Sequence, residues 1–199
     1  MDSRENTLQI LLTAACRAGA TDAVILAAGD IIVEPELADR CIQPRCENYG
    51  LSMSCPPHVA GPQAFRRLLL DYSHALFFRI DVAAVMLYSS DNRQLFQTLH
   101  AVTAEIEHLA VGLGFVAARG YAGDSCKRLF CSDERECRAL TDAGTCRHPQ
   151  TARPSMSGFG INVGALLQKA GWEKRMGKLD GGQRGDEEIV SVCGLVLLS

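Results

Sequence analysis

The stretch HALFFRIDV, residues 74–82, is apolar at most positions and has two phenylalanines in succession. A short run of this kind, rich in bulky side chains, predicts a buried β-strand. EIVSVCGLVLL, residues 188–198, has the same character and predicts a final strand. Residues 23–27 and 31–34 flank Gly29-Asp30, a common hairpin turn sequence, and so they predict a pair of strands. We therefore expect a central, mostly antiparallel sheet.

Amphipathic helices are predicted between these strands. Residues 5–18 and residues 61–71 carry apolar side chains at intervals of three and four, which predicts one helix in each segment. A further helix is predicted at about residues 155–170, and we expect an interruption near Gly158 and Gly160.

The clearest helix follows Asp91, which is a candidate N-cap. Its apolar residues form a single stripe: Leu95, Leu99, Val102, Ile106, Leu109 and Leu113. Gly112 and Gly114 are expected to end the helix. His100 and His108 lie off the stripe, where we expect a solvated polar face.

The remaining segments complete the predicted fold. Residues 115–118 predict a short strand, and GKLDGGQRGD, residues 177–186, predicts a polar loop. We expect an α+β (mixed α/β) fold, a single compact metal-binding domain over residues 1–199. Flanking helices would cover the sheet, and two long cysteine-rich loops, 41–62 and 120–154, would be ordered by metal. Loops of this length in a compact domain are usually functional.

The composition narrows the class of protein. Apolar residues make up 47% of the 199 residues, which is enough for a core and argues against disorder. The net charge of -3 and the scattered aromatic residues, 6% of the chain, do not suit nucleic acid or an anionic membrane. The N-terminal stretch lacks the pattern of a secretory signal, and no apolar run is long enough to cross a bilayer. We expect a cytoplasmic protein that binds neither nucleic acid nor membrane.

Nine cysteines are present. Seven of them form two groups, Cys41-x4-Cys46-x8-Cys55-Pro-Pro and Cys126-x4-Cys131-x5-Cys137-x8-Cys146. Disulfide scaffolds are typical of small exported proteins, whereas clustered cysteines in a reducing compartment more often bind metal. We expect all seven to ligate metal. Cys16 and Cys193 lie in apolar runs and are expected to be small buried residues.

The spacing of the cysteines bears on the identity of the metal. Structural zinc sites usually pair ligands as C-x2-4-C, and the shortest spacing here is C-x4-C. Longer spacings suit a larger object such as an iron–sulfur cube, which four thiolates bind. We expect one or two [4Fe-4S] clusters, with zinc as the alternative.

The first group supplies only three thiols. A cube held there would need a further ligand at one iron, and Tyr49 and His58 are the nearest candidates, although a surface histidine explains His58 as well. Alternatively, both groups contribute to one site. Pro56 and Pro57 are expected to keep the chain extended just beyond Cys55.

Basic residues accompany the second group: Lys127, Arg128, Arg135, Arg138, Arg147 and Arg153. They would offset the negative charge of a four-thiolate cluster. Acidic residues are interleaved with them, so ordinary solvation of a loop explains the basic residues equally well.

Three stretches together resemble a bacterial and archaeal family of predicted metal-binding proteins of unknown function. They are CENYGLSMSCPP (46–57), the cysteines from 126 to 146, and CRHPQTARPSMSGFGINV (146–163). The resemblance spans most of the chain and implies a cysteine-ligated metal, above all an iron–sulfur cluster, with no assigned reaction. Asn162 departs from the family pattern, in which an aspartate is expected.

The last of these stretches has its own physical interpretation. Ser155, after Pro154, is a candidate helix cap. Gly158 and Gly160 would let the backbone approach the cluster loop closely, or would serve tight packing of a helix on the sheet.

Three functions remain open at this point. The first is an iron–sulfur protein in electron transfer or a redox enzyme system, with a redox partner protein. The second is a zinc-stabilised adaptor, and the third is a redox or metal sensor. Spacing and resemblance favour the first. The chain has no P-loop, dinucleotide fingerprint, nucleophile elbow or H-E-x-x-H motif, so no enzymatic reaction is assigned.

Overall fold

A computed structural model describes residues 3–89, 92–141, 144–172 and 188–199. These residues form an α+β architecture, which confirms the predicted fold class. The helices are α1 (Ser3–Ala18), α2 (Pro35–Asp39), α3 (Gly61–Leu69), α4 (Ala84–Tyr88), α5 (Arg93–Gly112), α6 (Cys126–Phe130) and α7 (Val163–Lys169). The strands are β1 (Asp22–Ala27), β2 (His74–Ala83), β3 (Arg119–Tyr121) and β4 (Ile189–Leu198). Short 3-10 turns cover Ala28–Asp30, Arg138–Leu140 and Met156–Phe159.

The four strands form one antiparallel sheet in the order β1-β2-β4-β3. The two apolar stretches 74–82 and 188–198 are its central strands, and they pair from His74 with Leu198 to Ala83 with Ile189. The strand predictions for both stretches are confirmed. On their outer sides, β1 pairs with residues 74–79 of β2, and β3 pairs with residues 195–197 of β4.

Helices and loops cover both faces of the sheet, which explains why the central strands are apolar at nearly every position. Phe77 faces a cluster that includes Phe65 of α3. Leu76 and Phe78 face the opposite cluster, which includes Leu99 of α5. Successive side chains of a strand point to opposite faces, so a strand buried on both faces needs an unbroken apolar run.

Two strand predictions were wrong. Residues 31–34 do not form a hairpin with β1, because β1 pairs with β2 instead and the chain turns away in the 3-10 segment Ala28–Asp30. Val33 makes only an isolated bridge, to Ile161. Residues 115–118 form a turn closed by the Ala118 N–H bond to Phe115 O (2.8 Å), and the strand begins at Arg119, where the chain meets β4.

The long helix was predicted well, apart from one of its histidines. Asn92 occupies the N-cap position, and the proposed cap Asp91 lies outside the described residues. The expectation of a solvated face was wrong for His100, which is fully buried. Its Nδ1 accepts from the Arg153 backbone N–H (3.0 Å), and Nε2 lies 2.9 Å from Gly123 O. The second cysteine loop therefore covers a helix face that the sequence pattern had assigned to solvent.

The prediction of burial was right for one of the two cysteines outside the groups and wrong for the other. Cys193 in β4 is buried, as expected, whereas Cys16 is exposed on α1, so the expectation of burial was wrong there. The apolar stripe of α1 passes through Leu11 and Ala15, and Cys16 lies beside it.

The segment 177–186, predicted as a polar loop, lies outside the described residues. In the described part of the chain, none of the helices combines the length and apolar character needed to cross a membrane.

Candidate metal centre

The two cysteine loops leave the fold at different points and meet each other. The first connects α2 to α3, and the second begins after β3. The second loop is closed at its base by bonds from Ala122 N–H to Pro154 O and from Met156 N–H to Ala122 O, both 2.9 Å. Ser155 N–H then reaches Ser54 O of the first loop (3.4 Å). Backbone contacts between distant parts of the chain therefore bring the loops side by side.

The three cysteines of the first group line one cavity. Cys41, Cys46 and Cys55 surround a space of about 160 Å³. Local turns place them there, since Cys46 N–H donates to Cys41 O (3.1 Å) and His58 N–H donates to Cys55 O (3.0 Å). Asp124 of the second loop also lines this cavity. The first cysteine site is thus built from both loops.

The four cysteines of the second group line a separate and smaller cavity of about 20 Å³: Cys126, Cys131, Cys137 and Cys146. The short helix α6 carries Cys126 at its first turn and ends just before Cys131. Cys146 accepts a bond at Sγ from the backbone N–H of His148 (3.3 Å). The thiols of the two groups therefore line two neighbouring cavities.

The two sites touch through a reciprocal pair of hydrogen bonds. The Cys55 thiol donates to Ser125 Oγ (3.4 Å), and the Cys126 thiol donates to Ser54 Oγ (3.2 Å). Both cysteines are buried. Each cysteine is thereby bonded to the serine that precedes the other.

A family model described as "Predicted metal-binding protein (DUF2284)" matches residues 24–198. The chain belongs to this family. The match covers both cysteine groups and all four strands except the first residues of β1. The description names no particular metal. Neither a curated protein nor a solved structure matches the chain.

In this DUF2284 chain, the pKa values of Cys41, Cys126 and Cys131 are raised, which favours their protonated thiols in the absence of a cation. Burial raises the pKa of Cys126 to about 11, against a smaller lowering by the hydroxyl of Ser54. Burial also raises the pKa of Cys41 and Cys131, and neighbouring thiols of the same group raise both further. A metal that binds thiolates here must displace protons, so its binding depends on pH.

The donor set of the DUF2284 chain fits a thiol-binding metal. All nine cysteines are free thiols. The Ser52 hydroxyl lines the second cavity and is fully buried, and within the described residues it has no hydrogen-bond partner. The first cavity is far larger than the roughly 10–15 Å³ that one water requires. Across the described ranges, no three cysteine, histidine or acidic side chains are arranged so that they could hold a metal ion. The thiols therefore line the two cavities without converging on the position of a single metal ion.

The structure separates the two candidates for a fourth ligand at the first site. Tyr49 lines the cavity with the three cysteines. His58 is exposed and lies with Nε2 3.2 Å from Gly50 O, away from the cavity lining. Asp124 and Ser125 were missed by the sequence interpretation, because they belong to the other loop. Nothing in the local sequence around Asp124 and Ser125 indicated that these two residues would line the cavity of the first cysteine group.

The basic residues of the second loop divide into distinct roles. Lys127, Arg138 and Arg147 line the second cavity. The others do not: Arg128 pairs with Asp124, Arg153 pairs with Glu107, and Arg135 is exposed. Half of the predicted set therefore lies beside the thiols.

Gly158 and the two prolines explain how the loops pack. A Cβ on Gly158 would lie 3.1 Å from both Pro56 Cδ and Val59 Cγ2, so the expected close approach to the cysteine loop is confirmed. The expectation of an extended chain at Pro56 and Pro57 was wrong, because Cys55 to His58 form a hydrogen-bonded turn. Ser155 occupies the cap position of the 3-10 turn Met156–Phe159 but forms no side-chain cap bond.

Proposed function

We propose that this DUF2284 protein is an iron–sulfur protein with one [4Fe-4S] cluster in each cysteine group. It would act in electron transfer with a redox partner protein, or within a redox enzyme system. One observation carries the proposal: seven cysteines from two distant segments line two adjoining cavities. Its free thiols need a reducing compartment such as the cytoplasm.

The donor count differs between the two groups and predicts different behaviour. Four thiols in the second group match the four that a [4Fe-4S] cluster needs. Three thiols in the first group leave one corner for Tyr49, for Asp124 or for a substrate. When bound, such clusters accept and release single electrons. The residues of the chain would hold the clusters and balance their charge.

Charge and hydrogen bonding around the cavities suit an anionic group. Lys127, Arg138 and Arg147 line the second cavity and would offset the negative charge of four thiolates. Once the Cys126 thiol ionises, the Ser54 hydroxyl that accepts its hydrogen bond is free to donate to the sulfur instead. Donors to sulfur raise the reduction potential of a cluster, because the reduced form carries more negative charge.

The contact between the two sites supports their use in one electron path. Cys55 and Cys126 each form a hydrogen bond to the serine that precedes the other, at 3.4 and 3.2 Å. An electron that enters at one group would thus have a short route to the other. The space between the thiols of the second group is small, so binding there requires the loop 131–146 to adjust.

The experiment is purification of the full chain without oxygen, followed by a visible spectrum and counts of iron, sulfide and zinc. We expect a brown protein with about eight irons and eight sulfides per chain, four for each cysteine group. About four irons would mean that only one group binds a cluster. A colourless protein that contains zinc and no iron would overturn the proposal and leave a zinc-stabilised adaptor.

Substitutions assign the metal to the cysteines. Cys126→Ser and Cys146→Ser should each lower bound iron sharply, because they remove ligands of the second group. Cys16→Ser is the matched control, since Cys16 is exposed on α1 and belongs to neither cavity. Unchanged iron in the first two variants would refute the assignment of the second group.

A further inference from the structure

A third cavity lies beside the two cysteine sites and contains no cysteine. It is a cleft of about 640 Å³ between helix α3, strand β3, the end of α5 and both cysteine loops. Its volume falls within the range of about 300–1,000 Å³ that is typical of small-molecule sites. Neither the proposed clusters nor the family description assigns it a role.

The floor of the cleft is aromatic. Phe65, Tyr121 and Phe159 pack on one another with ring centroids 5.1 to 5.4 Å apart, and all three line the cleft. They are at most 8% exposed, so they form a fixed surface. Leu68 and Val59 add aliphatic surface at the sides. This floor suits the apolar body of a small organic molecule.

One wall of the cleft is cationic and highly organised. The Arg153 side chain is buried and donates from Nε to Glu107 Oε2 (2.9 Å) and from Nη2 to His108 Nε2 (3.1 Å). Its Nη1 donates to the carbonyls of Pro149 (3.2 Å) and Ala152 (2.9 Å). The charge of Arg153 is therefore balanced by Glu107, and its position is fixed.

Arg119 supplies the excess positive charge. It lines the cleft together with Tyr121, and its side chain is exposed. Among the residues that the structure describes, no carboxylate forms an ion pair with it. With Glu107 paired to Arg153, the cleft has one positive charge that lacks an acidic partner. One uncompensated guanidinium matches one carboxylate, which it can bind through two N–H groups.

We propose that this cleft binds a small organic monocarboxylate with an apolar body. The carboxylate would bind Arg119, and the body would lie on the aromatic floor. The proposal concerns protein side chains and holds whichever metal the cysteines bind.

The position of the cleft places its occupant close to the first cysteine site. Val59 and Phe159 line the cleft, while Pro56 and Gly158 line the cysteine cavity. These four residues form the partition between the cleft and the cysteine cavity. A Cβ on Gly158 would lie 3.1 Å from Pro56 and Val59, so the partition is closely packed. A single layer of residues thus separates a bound carboxylate from the three-cysteine group.

The test is calorimetric titration of the anaerobically purified full chain with benzoate and with hexanoate. Benzamide, which has the shape of benzoate without its charge, is the ligand control. We expect at least one of the carboxylates to bind, and benzamide to bind at least about tenfold more weakly than benzoate because it lacks the charge-assisted bond. Absence of heat with both carboxylates, or equal affinity for benzamide, would overturn the proposal.

Three variants locate the binding. Arg119→Gln should weaken carboxylate binding at least about tenfold, and Ala64→Phe, which adds bulk on the α3 side of the cleft, should abolish it. Arg17→Gln removes the same charge from α1, outside the cleft, and should leave binding unchanged. Undiminished binding in both cleft variants would show that the ligand lies elsewhere. Melting temperature and iron content, measured for each variant, separate loss of the cleft from loss of the fold or of the clusters.

Discussion

Cys55 and Cys126 are buried neighbours, and each donates a hydrogen bond to the serine that precedes the other along the chain. This reciprocal contact joins two loops that are separated along the chain by strands β2 and β3. The two cysteine groups are therefore parts of one structural unit, although they line separate cavities. A substitution at this contact in either loop should therefore alter the hydrogen bonding of the other loop.

The serines at this contact should support metal binding without being ligands in the proposed assignment. We expect Ser54→Ala and Ser125→Ala each to lower the affinity for the bound metal by about tenfold or more, since partners of metal ligands typically contribute that much. Competition with a chelator measures the affinity. Ser132→Ala is the control, because Ser132 is exposed and its hydroxyl bonds to Asp133. Equal metal retention in all three variants would contradict a role for the reciprocal contact.

The separation of the cavities predicts that the two sites can be emptied one at a time. Cys46→Ser should remove the metal of the first group and leave that of the second, whereas Cys137→Ser should do the reverse, because each thiol lines only one cavity. If each group holds a cube, each variant keeps about four irons per chain. Total loss of iron in both variants would instead point to one shared site.

Gly158 should be intolerant of a side chain. A methyl group there would lie 3.1 Å from Pro56 and Val59, so Gly158→Ala forces the partition to shift and should destabilise the fold by about 1–3 kcal/mol. Urea unfolding measures the change. Gly112→Ala is the matched control, since a Cβ at the end of α5 meets nothing within 4 Å, and it should stabilise slightly. The same small effect at both positions would show that the cysteine loop yields easily.

His100 should make the stability depend on pH. Burial lowers its pKa from the ordinary 6.5 to about 4. Between these values the unfolded chain binds a proton that the native chain does not. The contribution of His100 is therefore complete above pH 6.5 and is lost as the pH falls toward 4, a change of about 3 kcal/mol.

The measurement for His100 is urea unfolding at several pH values between about 7 and 5. His100→Asn cannot titrate, so the free energy of unfolding of this variant should fall less steeply over the same interval. The comparison uses the change with pH, because the substitution also alters the bond to Gly123 O and lowers stability at every pH. Identical slopes for the two proteins would show that the native state accommodates a charged His100.

The sheet was predictable from the sequence where a pattern was local and strong. HALFFRIDV and EIVSVCGLVLL became the central strands because a mainly apolar run fits a strand that is covered on both faces. The apolar stripe at residues 95–113 likewise predicted the helix α5, since an apolar helix face packs against a core. The pairing of β1 was not predictable from Gly29-Asp30, because the edge of β2 competes for the same backbone groups and lies far away in sequence.

The sequence by itself determined that this chain has a central sheet, seven cysteines in two groups and residues typical of a predicted metal-binding family. Only the tertiary structure decided that the groups line two adjoining cavities and that Asp124 and Ser125 line the first of them. It also decided that His100 is buried. It also decided that Arg119 and the aromatic floor meet in one cleft. The physical reason is the range of the interactions. Helix and strand patterns arise from neighbours along the chain, whereas a cavity is enclosed by residues that meet only after the chain has folded.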